Sequence, residues 1–303
     1  MIYTLTLNPA IDYVVGLDTL HPGTINRLDR AQVVCGGKGI NVSTMLHRLG
    51  ADTTALGFAA GFTGQALVQG LEADGIPCRF IRLPAGMTRI NVKIKADQET
   101  ELNAPGPDIP AQALEALYQQ LDNLADRDTL VLAGSVPSSL PADIYEQILS
   151  RLSGRGIRFV VDTAGQALSR TLGYRPFLIK PNHHELAQLA QRPLNTVDDL
   201  LAAARSLQQQ GAQYVLVSRA ENGALLLTPS GDVLEQPAFS GTVINSVGAG
   251  DAMVAGFLAG LRHGCGYALR LAAACGSATA FSTGLARRED VDALLSQQQN
   301  PIY

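Results

Sequence analysis

The chain has 303 residues, 46% of them apolar, enough for a large core in one big α/β domain or two smaller ones. A formal net charge of −4 offers no basic surface for nucleic acid, and four cysteines without a C-x-x-C pair support neither a zinc ribbon nor a dithiol redox motif. No uninterrupted apolar run reaches membrane-spanning length and the start lacks the basic region of a signal peptide, so a soluble cytoplasmic protein is expected.

In chain order, residues 2–7 read as a buried strand ending at Asn8 and Pro9, and residues 11–15 as a second extended piece in which Asp12 is the lone charge. A turn-rich stretch leads to a short extended segment at 32–35. Residues 36–50 read as a glycine loop opening a helix that stops at Gly50. A strand at 53–58 and a helix at 63–74 follow. Residues 88–95 alternate strictly, Ile90, Val92 and Ile94 on one face and Arg89, Asn91, Lys93 and Lys95 on the other, the pattern of a half-exposed antiparallel strand that 99–103 could pair with. From 108 onward strands at 129–133, 157–161, 177–180, 214–217 and 224–227 alternate with helices at 111–124, 141–152, from 183 and at 197–210. That alternation implies a parallel sheet covered on both faces, with ligands beyond the carboxyl ends of its strands. Polar residues collect at those ends: Asn8, Gly134, Ser135, Asp162, Lys180, Asn182 and Ser218.

Residues 245–253 read NSVGAGDAM and precede an apolar run in which Gly256 and Gly260 lie four apart. A tight glycine loop feeding a helix presents free amides and the positive end of the helix dipole, a site for a phosphoryl group. Asp251 beside that site is either a helix cap or the base that takes a proton from an attacking hydroxyl. A second glycine-rich helix start at 36 makes two anion sites. The Walker A pattern fails, because Gly39 follows Lys38, and the dinucleotide fingerprint lacks its third glycine. Two anion sites with one carboxylate between them suggest phosphoryl transfer to a hydroxyl. Several residues stay open on their own evidence. Lys38 could be a surface lysine, Arg89 a solvated one, and Asp162 a turn residue or a magnesium-ordering acid. His183 and His184 read as solvent-facing or capping residues, and His47 as structural.

The segments GGKGINV at 36–42 and VGAGD at 247–251 resemble the two signatures of the ribokinase/PfkB family of sugar kinases. TLNPAID at 6–12, TRINV at 88–92, AGS at 133–135, KPNHHEL at 180–186 and SATA at 277–280 extend the resemblance over nearly the whole chain. It implies one ribokinase-like domain over 1–303, a Rossmann-type αβα sandwich with a mostly parallel sheet, and a small β-sheet lid formed by insertions around 11–35 and 87–103. It implies ATP and Mg2+ as cofactors and a phosphosugar acceptor. The phosphosugar branch is the nearest likeness, and with it the conversion of fructose 1-phosphate to fructose 1,6-bisphosphate; tagatose 6-phosphate and fructose 6-phosphate are the alternative acceptors. A non-catalytic sugar-phosphate-binding protein on the same scaffold is the remaining alternative, and it would have no use for a base at Asp251.

By the same resemblance, Asp251 is the base and the Gly248, Ala249 and Gly250 amides form the anion hole. Asp12, Gly36, Gly37, Asn41 and Ser135 line the sugar pocket, and Lys38, Arg89 and Arg27 grip the sugar's own phosphate. Lys180, Asn182, Ser218, Gly223 and Ser277 serve ATP, and Glu185 orders magnesium through water. Two departures stand out: Asn245 and Ser246 replace the Asp-Thr of the ribokinase branch, and Ala220 stands where the nucleotide loop usually has glycine. A homodimer through the lid is expected, because the face carrying Ile90, Val92 and Ile94 needs a cover.

Overall fold

Short apolar runs become thirteen strands among the residues that the computed structural model describes, 1–297. They are β1 (Ile2–Thr6), β2 (Ala10–Gly16), β3 (Arg30–Gly36), β4 (Thr53–Ala60), β5 (Cys78–Leu83), β6 (Arg89–Lys95) and β7 (Thr100–Leu102), then β8 (Thr129–Ala133), β9 (Arg158–Asp162), β10 (Leu178–Ile179), β11 (Tyr214–Ser218), β12 (Ala224–Leu227) and β13 (Val233–Gln236). Nine of them form one sheet in the order β13-β12-β11-β10-β9-β8-β1-β4-β5. Neighbours from β11 to β5 are parallel, and β12 and β13 add an antiparallel edge. Every residue of β4 and β8 is buried, as expected for strands covered by helices on both faces. No described helix is long and apolar enough to cross a membrane.

Two strands escaped the periodicity. β5 carries Arg79 and Arg82 because it is an edge strand with solvent beside it, and β13 is a half-exposed edge at the other end. The short helix Gly165–Ser169 and the polar helix Arg288–Gln297 were likewise not anticipated. Helices Ala249–Gly260 and Cys265–Ala280 form a close hairpin. A Cβ added at Gly256 would meet the Leu271 carbonyl oxygen at 2.8 Å and Ala272 Cα at 2.9 Å, so the missing side chain sets the approach.

The remaining strands form a second sheet in the order β3-β2-β6-β7. β6 pairs antiparallel with β7 but parallel with β2, which corrects the purely antiparallel reading of its alternation. Register aligns Val33, Tyr13, Val92 and Leu102 in one row and Val34, Asp12 and Asn91 in a row on the opposite face. The expected exposure is inverted. Asn91 and Lys93 are buried, whereas Val33 is 61% and Leu102 56% exposed. The polar face borders a cavity at the carboxyl ends of the large sheet. The inner end of the apolar face packs through Ile11 and Ile90 with Leu67 and Leu71, and its outer end is bare.

Candidate active site

The strand ends converge on a cavity of about 490 Å3. Thr6, Asn8, Gly134, Ser135, Lys180, Asn182 and Ser218 border it from the carboxyl side of the large sheet. Two glycine-started helices complete it. Helix Lys38–Arg48 begins after Gly37 (φ 134°) and helix Ala249–Gly260 after Gly248 (φ 81°); neither start has a side-chain cap. Both φ values lie where a Cβ is costly, which is why glycine occupies these turns. Thr6 Oγ1 accepts from the Ile40 amide at 3.1 Å and ties the first start to β1. The Ala249 amide closes onto the Ser246 carbonyl at 3.2 Å. The Ala249 amide is thus taken, whereas the Gly248, Gly250 and Asp251 amides have no acceptor among the described residues and are free for an anion.

Asp251 is the third residue of its helix and is only 5% exposed. It caps nothing: its Oδ2 accepts from Asn41 Nδ2 at 2.8 Å across the facing helix starts. Burial and then the nearby Asp162 push its carboxyl up to about 7, against the pull of Lys38, the Asn41 hydrogen bond and Lys180. Asp162 Oδ1 lies 3.4 Å from both Lys38 Nζ and Lys180 Nζ. Burial opposes the charged form of Asp162, but the two lysines prevail and hold its carboxyl below the usual range. Burial likewise works against the Lys38 ammonium, and Asp162, Asp251 and Glu185 outweigh it and raise its pKa. Lys180 reaches the second glycine loop, since a Cβ on Gly250 would lie 3.0 Å from its Nζ.

The small sheet supplies Asp12, Arg89 and Lys93 to the same cavity. Gly36 is not on the cavity wall, but its bare Cα leaves room for Asp12: a Cβ there would meet Asp12 Oδ2 at 2.5 Å. Asn91 donates to Asp12 Oδ1 at 2.9 Å. Arg89 donates to the carbonyls of Asn8 (3.0 Å) and Ala104 (3.2 Å), which pins the guanidinium at the lid's root. Lys93 pairs with Glu101 at 2.9 Å and stands 4.0 Å from Asp12. The sequence reading left Lys93 on a solvated face; its spacing of four from Arg89 on an alternating strand was the available signal. Thr6 was missed as a cavity residue, whereas Asn8 stands where the polar strand ends placed it. Arg27 lies on the exposed segment between β2 and β3 and does not border the cavity.

A second cavity of about 810 Å3 shares Asn182, Ser218 and Gly250 with the first. Its walls include Gly223, Ala249, Ser277 and an apolar group of Phe239, Met253 and Phe281. Asn182 caps helix His183–Ala190 in a capping box with Glu185, each side chain accepting from the other's amide at 2.8 Å. Glu185 borders the first cavity, while His183 and His184 border the second with ring centroids 3.8 Å apart. His184 is exposed, as the solvent-facing reading expected, and His183 is half-buried; the cap of this helix is Asn182. Ala220 takes φ 48°, so the loop after β11 keeps a left-handed turn despite the missing glycine.

Comparison with known proteins identifies this architecture. The profile of the pfkB family carbohydrate kinases matches residues 1–290. The chain is 43% identical to the 1-phosphofructokinase of Bacillus subtilis (strain 168), over 98% of each chain. It is 36% identical to the D-tagatose-1-phosphate kinase of Bacillus licheniformis, over 99% of each. The crystal structure of phosphofructokinase-2 from Escherichia coli in complex with substrates and products covers 99% of both chains with a TM-score of 0.93 at 29% identity. The expected ribokinase-like sandwich with its small second sheet is thereby borne out, and the chain belongs to the pfkB family of carbohydrate kinases.

Proposed function

We propose that this sugar kinase transfers the γ-phosphoryl group of ATP to the free primary hydroxyl of fructose 1-phosphate, giving fructose 1,6-bisphosphate and ADP. One observation carries the reading. The buried Asp251 carboxyl stands beside Gly248 and Gly250 where the two cavities meet, with a pKa of about 7. A base poised near neutrality suits removal of a hydroxyl proton as the oxygen attacks phosphorus, and the bond from phosphorus to the departing ADP oxygen breaks. The free amides of Gly248, Gly250 and Asp251, with Lys38 and Lys180, face the migrating charge. Asp12, held by Asn91, meets sugar hydroxyls. Arg89 and Lys93 meet the phosphate that the sugar already carries. Gly37, Asn41 and Ser135 complete the acceptor wall. Arg27 reaches an acceptor phosphate only by movement of its loop.

The second cavity fits a nucleotide. Its volume lies in the usual range for a ligand site, its apolar end suits a base, and its Gly250 end leads to the anion site. Mg2+ retains water and takes one or two carboxylates plus phosphate oxygens. No group of three or more acidic, histidine or cysteine side chains that could hold a metal occurs among the described residues. Glu185, which borders the first cavity next to the Asn182 that both cavities share, suits an ion that arrives with the nucleotide and neutralises its phosphates. We place the enzyme in the cytoplasm, treat residues 1–303 as one kinase domain with the small sheet as lid, and assign a homodimer built through that lid's bare apolar face.

The second reading is a tagatose phosphate as acceptor, favoured by the 36% identity to a D-tagatose-1-phosphate kinase. A coupled ADP-release assay with fructose 1-phosphate, tagatose 1-phosphate, tagatose 6-phosphate and fructose 6-phosphate tests both. Fructose 1-phosphate should give the highest kcat/KM. A tenfold preference for any of the other three would replace it, and no turnover with all four would leave only a binding role.

A further inference from the structure

Asp162 belongs to neither cavity wall, yet it is the most buried charge beside both. It ends β9, in register with Ala133 at the end of β8, and is 1% exposed. One oxygen lies 3.4 Å from Lys38 Nζ and 3.4 Å from Lys180 Nζ, and the other has no hydrogen-bond partner among the described residues. The two lysines come from different parts of the chain, Lys38 from the first glycine start and Lys180 from the end of β10. Both line the acceptor cavity, and Lys180 abuts Gly250.

We propose that Asp162 is a positioning residue for the transfer: its shared carboxylate oxygen spaces the two ammonium groups around the crossing point of the phosphoryl group. Two ammonium groups converging on so small a region repel each other when the cavity is empty. One buried carboxylate between them offsets that repulsion and fixes both before charge arrives, so no rearrangement is needed during transfer. Buried off both cavity walls, the carboxylate acts through the lysines and its field. An ordinary buried ion pair would need only one lysine and would leave the chemistry untouched. The field of Asp162 also reaches Asp251. The groups facing Asp251 are Lys38 and Asn41 from helix Lys38–Arg48, Asp162 from β9 and Lys180 beyond β10; of these only Asp162 favours its protonated form.

This inference rests on the kinase reading above. Wild-type turnover of a ketose phosphate is measured first, and its absence would reject that reading before any variant is made. Asp162→Asn then keeps the shape and removes the charge. It should lower kcat about a hundred-fold, as expected for misplaced reacting groups, with the KM for ATP changed far less. The acid limb of its kcat–pH profile should move down by about one pH unit, because the negative neighbour of Asp251 is gone. Asp162→Glu keeps the charge and shifts it by one methylene: its acid limb should stay at the wild-type position while kcat falls. A merely structural role would leave both profiles in place. Wild-type kcat in a folded Asp162→Asn protein, or an unmoved acid limb, overturns the proposal. Should Asp162→Asn fail to fold, Asp162→Glu decides: reduced kcat with an unmoved limb supports the proposal, and wild-type kcat overturns it.

Discussion

Asn41 donates a 2.8 Å hydrogen bond to Asp251 Oδ2, joining two glycine-started helices whose residues lie 210 apart in the chain. The bond orients the carboxylate and favours its charged form, so it opposes the burial that raises Asp251. Asn41→Ala should therefore move the acid limb of the kcat–pH profile upward. Turnover at pH 7 should fall about tenfold, the scale of a lost hydrogen bond to a charged group, with part of the loss recovered at pH 9. A profile superimposable on wild type would show that Asn41 does not act on the base.

Asp251→Asn should keep both ligands bound and lose roughly 10²–10⁴-fold in kcat, the usual worth of a general base. Stability should change in the opposite direction. The carboxyl titrates near 3.8 when unfolded and about 7 when folded, so the folded state holds an extra proton between those values. Above pH 7 the buried carboxylate costs stability that Asn does not. The variant should melt above wild type at pH 8, and the gap should close toward pH 4. Wild-type turnover, or a lower melting temperature at pH 8, contradicts this account.

Lys93 meets the acceptor cavity from the lid, paired with Glu101 and near Asp12. Lys93→Met should raise the KM for the phosphosugar about ten- to a hundred-fold, the scale of a charged hydrogen bond, with the KM for ATP unchanged. An equal rise in both constants would place Lys93 in folding of the lid and not in acceptor binding.

The outer end of the lid's apolar face bares Val33 and Leu102 in one cross-sheet row with Tyr13 and Val92. A second copy set on that row would cover it. Sedimentation at micromolar concentration should show a dimer for wild type and a monomer for the Val33→Asp, Leu102→Asp double variant. A wild-type monomer removes the lid dimer from consideration.

Gly256→Ala should lower stability by about 1–3 kcal/mol in denaturant titration, because its methyl meets the Leu271 carbonyl and Ala272 Cα of the partner helix. Gly266→Ala is the control. It has nothing within 4 Å of its added Cβ and should be neutral or slightly stabilising. Equal melting of the two variants would mean that the hairpin adjusts freely.

Much of this molecule is written locally. Strand and helix periods, the two glycine starts and the polar residues at strand ends depend on neighbours a few positions away, so β1, β8, β9 and β11 and both helix starts were legible before any coordinates. The tertiary structure decided which faces are covered. Alternation puts Asn91 and Lys93 opposite Ile90 and Val92, but only the docking of the lid over the large sheet buries the polar side. The same holds for Lys38 and Arg89. The family resemblance assigns them one phosphate; in the fold both border the first cavity with different partners, Lys38 with Asp162 and Arg89 on the carbonyls of Asn8 and Ala104.

The amino-acid order alone therefore determined the family signatures, the α/β alternation and the carboxylate beside the second glycine loop. Only the folded chain decided that Asp251 is buried, that Asn41 and Asp162 act on it, and that two lysines share one oxygen. Burial and electric field are sums over atoms brought together from distant segments, and no window of sequence contains them.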